Sequence, residues 1–221
     1  MSLAQANRSY RNAGIGNLFL FPAPTADPGT DSTTRVKGIF ALMYSDDGRK
    51  TLKGGVTPWG THDSGGVEFD VKPRILTYDF GDGSPDDKAQ IGVEEATVKL
   101  AINDADAAHW ADVWGINAAD LIAVAATTGK AGRIAALMGN PNSGANYIAI
   151  YQQPSLAFPG QFDHFVWPRV SFLTEPKIKF SPKDKVKIDI TLQAKGDLFL
   201  KATDGSPVFG FPEYASAAPL P

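Results

Sequence analysis

Apolar and polar residues alternate with a period of two along three stretches of the chain. Val67, Phe69 and Val71 alternate with Glu68, Asp70 and Lys72. Ala96, Val98, Leu100 and Ile102 alternate with Glu95, Thr97, Lys99 and Ala101. Ile178 and Phe180 lead into Ser181–Asp184, after which Val186, Ile188, Ile190 and Leu192 alternate with Lys185, Lys187, Asp189, Thr191 and Gln193. That period puts one face of each strand on a core and the other in water. Pro182 stands where a type I turn accepts it, so Lys177–Ala194 is predicted to be a β-hairpin. "VKGIFALMYSDDGRKTLKGG" reads as a second hairpin, turning at Asp47-Gly48. "NYIAIY" and "FVWPRVSFL" are further strands, and Pro168 places the latter at an edge or a bulge.

One segment has helical spacing instead. In "NDADAAHWADVWG", Asn103 or Asp104 can cap, and Asp106 suits the positive end of the helix dipole. Ala107, Trp110, Ala111 and Trp114 follow on one face before Gly115. Residues 118–126 fit a short helix capped by Asn117 or a strand equally well. Residues 23–33 and 54–66 read as long irregular stretches, of a length that is usually functional or disordered in the free chain. With no repeat and no compositional break, the 221 residues are expected to form one mainly β domain.

Composition narrows the chemistry. The chain has 43% hydrophobic and 20% charged residues, 22 Gly and 16 Pro, which suits short strands and many turns. A formal charge of −3 gives no reason to expect phosphate-driven nucleic-acid binding. Cysteine is absent, which removes disulfides, Cys-ligated metals and thiol nucleophiles. The first residues contain only four consecutive apolar positions, Leu18 to Phe21, too few for a signal peptide, and no run is long enough to span a membrane. Synthesis and folding in the cytoplasm are expected.

No motif for catalysis stands out. Asp79, Asp82, Asp86 and Asp87 cluster with Gly and Pro, but their spacing fails the EF-hand pattern and Pro85 intrudes. The cluster reads as a turn that launches the strand after it. His62, His109 and His164 have no ligand at helical spacing, so a surface or interface role is expected for each. "NPNSGA" lacks the glycines of a nucleophile elbow, and "TTGKAGR" lacks the first Gly and the final Ser/Thr of a phosphate loop. No carboxylate pair is marked out for glycoside hydrolysis. Trp59, Phe162, Phe165 and Trp167 are candidates for a sugar-stacking platform, though such aromatics more often belong to cores or interfaces. No cofactor or metal is expected.

Charge is unevenly distributed. Residues 79–112 hold nine acids and two bases, whereas residues 169–201 hold eight bases and four acids. Head-to-tail association can use such a split, one copy's acidic face meeting the next copy's basic face.

The stretch "DSGGVEFDVKPRILTYDFGDGSPDDKAQIGVEEATVKLAINDADAAHWADVWG" resembles the major tail tube proteins of long-tailed bacteriophages. It has their GGV-led strand, acidic Gly/Pro loop, alternating strand and short Ala-rich helix in order. "KIKFSPKDKVKIDITLQAKGD" resembles the late hairpin of that family. Together the similar regions cover about 64–115 and 165–205. The resemblance implies a β-sandwich or partial barrel flanked by one α-helix. It implies six copies in a ring, rings stacked into a tube, and sheets joined into one inner barrel. DNA and a tape-measure protein would pass through the lumen, and other tail proteins would meet the tube ends. The site would be the virion tail, assembled in the host cytoplasm.

On that reading the chain has an N-terminal arm over about 1–35, a stacking loop over about 54–66 and an extended tail over about 211–221. Trp59 and His62 in the loop are expected to reach the adjacent ring. Asp82, Asp86 and Asp87 would serve assembly or the lumen. Lys185, Lys187 and Asp189 would face the lumen or a seam between subunits. Trp110 and Trp114 would pack the 104–114 helix on the outer side of the sheet. The alternatives are a carbohydrate-binding β-sandwich, a hydrolase with dispersed carboxylates, and another virion ring such as a tail terminator or decoration protein.

Overall fold

A computed structural model describes residues 16–26, 31–78, 87–103, 121–128, 133–136, 146–173, 177–179 and 187–215. Its elements are β1 (Asn17–Pro22), α1 (Ser32–Met43), β2 (Gly60–Tyr78), β3 (Asp87–Asn103), β4 (Leu121–Val124), β5 (Arg133–Ala136), β6 (Tyr147–Pro154), β7 (Phe162–Phe172), β8 (Lys177–Lys179), β9 (Lys187–Ala194) and β10 (Phe211–Glu213). The fold is mainly β, as the alternating pattern predicts. Strands β4 and β5 form a small hairpin of their own, and the other eight lie in one antiparallel sheet.

That sheet closes on itself. Its order is β10-β7-β6-β1-β2-β3-β9-β8, with a further pairing of β7 to β9 through Val170↔Ala194 and Phe172↔Leu192. The circuit β7-β6-β1-β2-β3-β9 is therefore a six-stranded antiparallel barrel. The seam at β1–β2 is narrow, only Asn17↔Thr61 and Leu18↔Gly60.

The sequence explains which strands face water. In β1 and β6, "LFLF" and "YIAI" are continuous apolar runs because both faces are covered. Leu18, Ala149 and Trp167 point into the barrel with Val98, Leu100, Ile190 and Leu192. Phe19, Ile148, Ile150 and Val166 point out, beneath Ile39, Phe40, Met43 and Tyr44 of the α1 region. Strands β2, β3 and β9 alternate because only their inner face is covered.

Two expectations hold for the strands; the Ser181–Asp184 turn lies outside the described residues. β8 and β9 pair as a hairpin, Ile178↔Ile188, and β7 continues the same ladder. β7 gains one residue relative to β6 between Tyr147↔Val170 and Ala149↔Trp167, the bulge that Pro168 predicted.

Other expectations are corrected. Residues 32–43 are helix α1, not the first arm of a hairpin. Asp31 caps it by accepting from the Thr34 amide at 2.7 Å. Val36, Ile39, Phe40 and Met43 are spaced as one helical face, and they are the residues packed on the sheet. The turn at Asp47-Gly48 does exist: the Asp46 carboxylate accepts from the Thr51 amide, and Arg49 takes a positive φ of 56°. Residues 60–66 belong to β2, so the irregular stretch that begins at Gly54 ends at Trp59. The predicted 104–114 helix lies outside the described residues.

Candidate assembly face

The outward faces of β2, β3 and β9 combine into a polar grid set by strand register. Glu68 lies opposite Lys99, and Lys99 opposite Thr191. Asp70 lies opposite Thr97, and Thr97 opposite Gln193; Lys72 faces Glu95. Lys72 Nζ is 2.7 Å from Glu95 Oε2, and Lys99 Nζ is 3.7 Å from Glu68 Oε1. These exposed pairs fix side-chain positions more than they stabilise the barrel. Asp189 is exposed on the same face, opposite Ala101. Among the described side chains of this face, the carboxylates of Glu68, Asp70, Glu95 and Asp189 stand beside the ammonium groups of Lys72 and Lys99.

Beyond the barrel, β2 and β3 continue as a two-stranded ribbon. β9 meets β3 only from Thr97 to Asn103, and β1 meets β2 only at Gly60 and Thr61. From Val71 to Tyr78 the pair extends about 24 Å at the usual strand rise. Register shifts between Lys72 and Pro73 and between Arg74 and Ile75 leave extra residues on β3, which bend and twist the ribbon. Val71 and Ile75 are 41% and 55% exposed. Among the described residues no strand pairs with β3 before Thr97 on the edge away from β2.

The sequence-derived candidates fall as follows. Trp59 does not reach outward: it is 3% exposed, in the barrel core, and its amide donates to the Leu18 carbonyl at 2.6 Å. Its ring lies 6.1 Å from that of Phe172. His62 is not in a loop but in β2, opposite Ile102. Asp87 opens β3 opposite Tyr78, while Asp82 and Asp86 lie outside the described residues. In β9, Lys187 is in register with Asn103 and Asp189 with Ala101; Lys185 lies outside the described residues. Trp110 and Trp114 do too. Trp167 is 1% exposed and stacks at 4.7 Å on Phe165, so these aromatics with Trp59 are core rather than a sugar platform. Among the described residues no group of three or more His, Asp or Glu side chains gathers to hold a metal, and no helix is long and apolar enough to cross a membrane.

His164 corrects another expectation. It is buried with α1 rather than on the surface, and it anchors a polar chain that sequence reasoning missed. Gln152 Nε2 donates to Tyr44 Oη at 2.6 Å, and Tyr44 Oη lies 2.6 Å from His164 Nε2. The His164 tautomer sets the direction of that bond: the hydroxyl donates to a bare Nε2 and accepts from a protonated one. Nδ1 is 3.1 Å from Glu213 Oε2, at an angle short of good alignment. Arg49 closes the chain, with Nη2 2.9 Å from Glu213 Oε1 and its guanidinium 4.4 Å above the Phe40 ring. Burial pushes the Tyr44 hydroxyl well above the usual phenol range. Burial also works to raise Glu213, but His164 and Arg49 outweigh it and hold the carboxyl below its ordinary value.

No family model matches the chain, and no curated protein matches it.

Proposed function

We propose that the chain is a structural subunit that assembles with copies of itself into rings, stacked as a tail tube through which phage DNA and a tape-measure protein pass. The observation that supports this most is the β2–β3 ribbon. Most strands of the barrel are paired on both edges, whereas the β3 edge of the ribbon has no neighbour among the described residues and can offer backbone donors and acceptors to another chain. Head-to-tail contacts that close around an axis give a ring, and the ring number six comes from the family resemblance. The polar grid on β2, β3 and β9 then lines the lumen, where its carboxylates repel phosphate and let DNA slide.

Negative-stain microscopy and sedimentation velocity of the purified chain test this. Rings or tubes are the expected result. A species that stays monomeric at high concentration overturns it. Discrete rings that never stack shift the reading to a tail terminator or another ring component.

A further inference from the structure

Strand β10 sits at the end of a long connection from β9 and is held to β7 by three residue pairs, Phe211↔Val166, Pro212↔Phe165 and Glu213↔His164. It covers the first part of β7's outer edge, and β9 takes the rest of that edge at Val170–Phe172. Gly210 brings the chain in so closely that a Cβ there would sit 3.0 Å from the Phe165 and Trp167 rings. Apolar anchoring is slight: Phe211 packs partly on the α1 cluster, and Tyr214 is 68% exposed. The stronger fastenings are polar: Glu213 pairs with Arg49 at 2.9 Å and lies 3.1 Å from His164 Nδ1, and Asp163 Oδ1 accepts from the Ala215 amide at 3.0 Å.

We propose that β10 is an acid-released latch: the Glu213 carboxylate, gripped by Arg49 and His164, holds the strand over the edge of β7, and protonating that carboxylate frees the edge. The charged and titratable groups around it come from every neighbouring element. Arg49 and Asp46 lie in the loop after α1, Tyr44 at the end of α1, and Asp163 and His164 on β7. Asp46 is occupied by the Lys50 and Thr51 amides. The grip on the strand runs through the Glu213 carboxylate, 2.9 Å from Arg49 Nη2 and 3.1 Å from His164 Nδ1. Glu213 is the group whose protonation removes it. The depressed carboxyl fixes the sign: the grip is complete above the unfolded Glu value of about 4.3 and is lost as pH falls through the lower folded value. The latch does not depend on the assembly reading, because it acts within one chain.

Hydrogen exchange of the full-length protein, corrected for intrinsic rates, is the test. At neutral pH, Glu213→Gln is expected to exchange the amides of 163–166 and 211–215 about tenfold faster than wild type, the scale of a lost charge-assisted bond. Residues 147–152 should keep their protection. Wild type should open the same segments only in acid, and Arg49→Met, which keeps contact with Phe40, should move that opening to higher pH. Equal protection in Glu213→Gln and wild type overturns the latch. So does acid opening that occurs only together with 147–152, or an onset that Arg49→Met leaves unmoved. If Glu213→Gln does not fold, the Arg49→Met titration decides alone.

Discussion

Trp59 and Tyr44 show how single side chains tie loops to the barrel. Trp59 ends the loop before β2, yet its ring fills the core beside Phe172 while its amide binds the Leu18 carbonyl. Trp59→Ala should therefore cost about 3–5 kcal/mol, read as a shift in the urea midpoint. An unchanged midpoint would return Trp59 to the surface role that its loop position suggested. Tyr44 works by hydrogen bonding. Tyr44→Phe keeps the ring but leaves Gln152 and His164 buried with their polar atoms facing a hydrogen. A loss of about 1–3 kcal/mol is expected. Nothing local announces either role. Trp59 has no periodic neighbours, and the chain His164–Glu213 joins residues far apart in sequence, so only the tertiary fold brings the partners together.

At the scale of elements, legibility follows burial. β2, β3 and β9 were readable because water covers one face and forces a period of two. The bulge at Pro168 was readable because proline cannot serve an interior ladder. Helix α1 was not, although Val36, Ile39, Phe40 and Met43 carry its period. Ile and Phe favour strands, and a true turn at Asp47-Gly48 follows at hairpin distance, so local propensity and the turn pointed the same wrong way. Packing on β1, β6 and β7 decides for helix. Gly38 offers a direct check. It is exposed in mid-helix, and a Cβ there would meet nothing within 4 Å. Gly38→Ala is expected to stabilise by about 0.5–1 kcal/mol, since alanine is the better helix former. A flat or lowered thermal midpoint would count against a regular, exposed helical position there.

For the whole molecule, the proposed assembly turns on where a second copy would add. The six-stranded circuit consumes its own edges, and β10 and β8 extend it only at the flanks of β7 and β9. The β2–β3 ribbon is different. It stands beyond the core, carries Val71 and Ile75 largely exposed, and its β3 edge has no described neighbour before Thr97. An exposed apolar ribbon is unfavourable in a solitary protein and useful in one that is completed by association. The substitution Ile75→Lys separates these cases. Because Ile75 is already 55% exposed, the monomer's unfolding free energy should change by no more than about 0.5 kcal/mol. A lysine on the ribbon, however, brings a charge to a surface that association would bury, at a cost large enough to shift the assembly equilibrium. Sedimentation velocity should then show the variant as a single small species under conditions where the proposed function has the wild type form rings. If the variant assembles as the wild type does, the ribbon is not the joint, and the contact between copies must be sought elsewhere on the barrel.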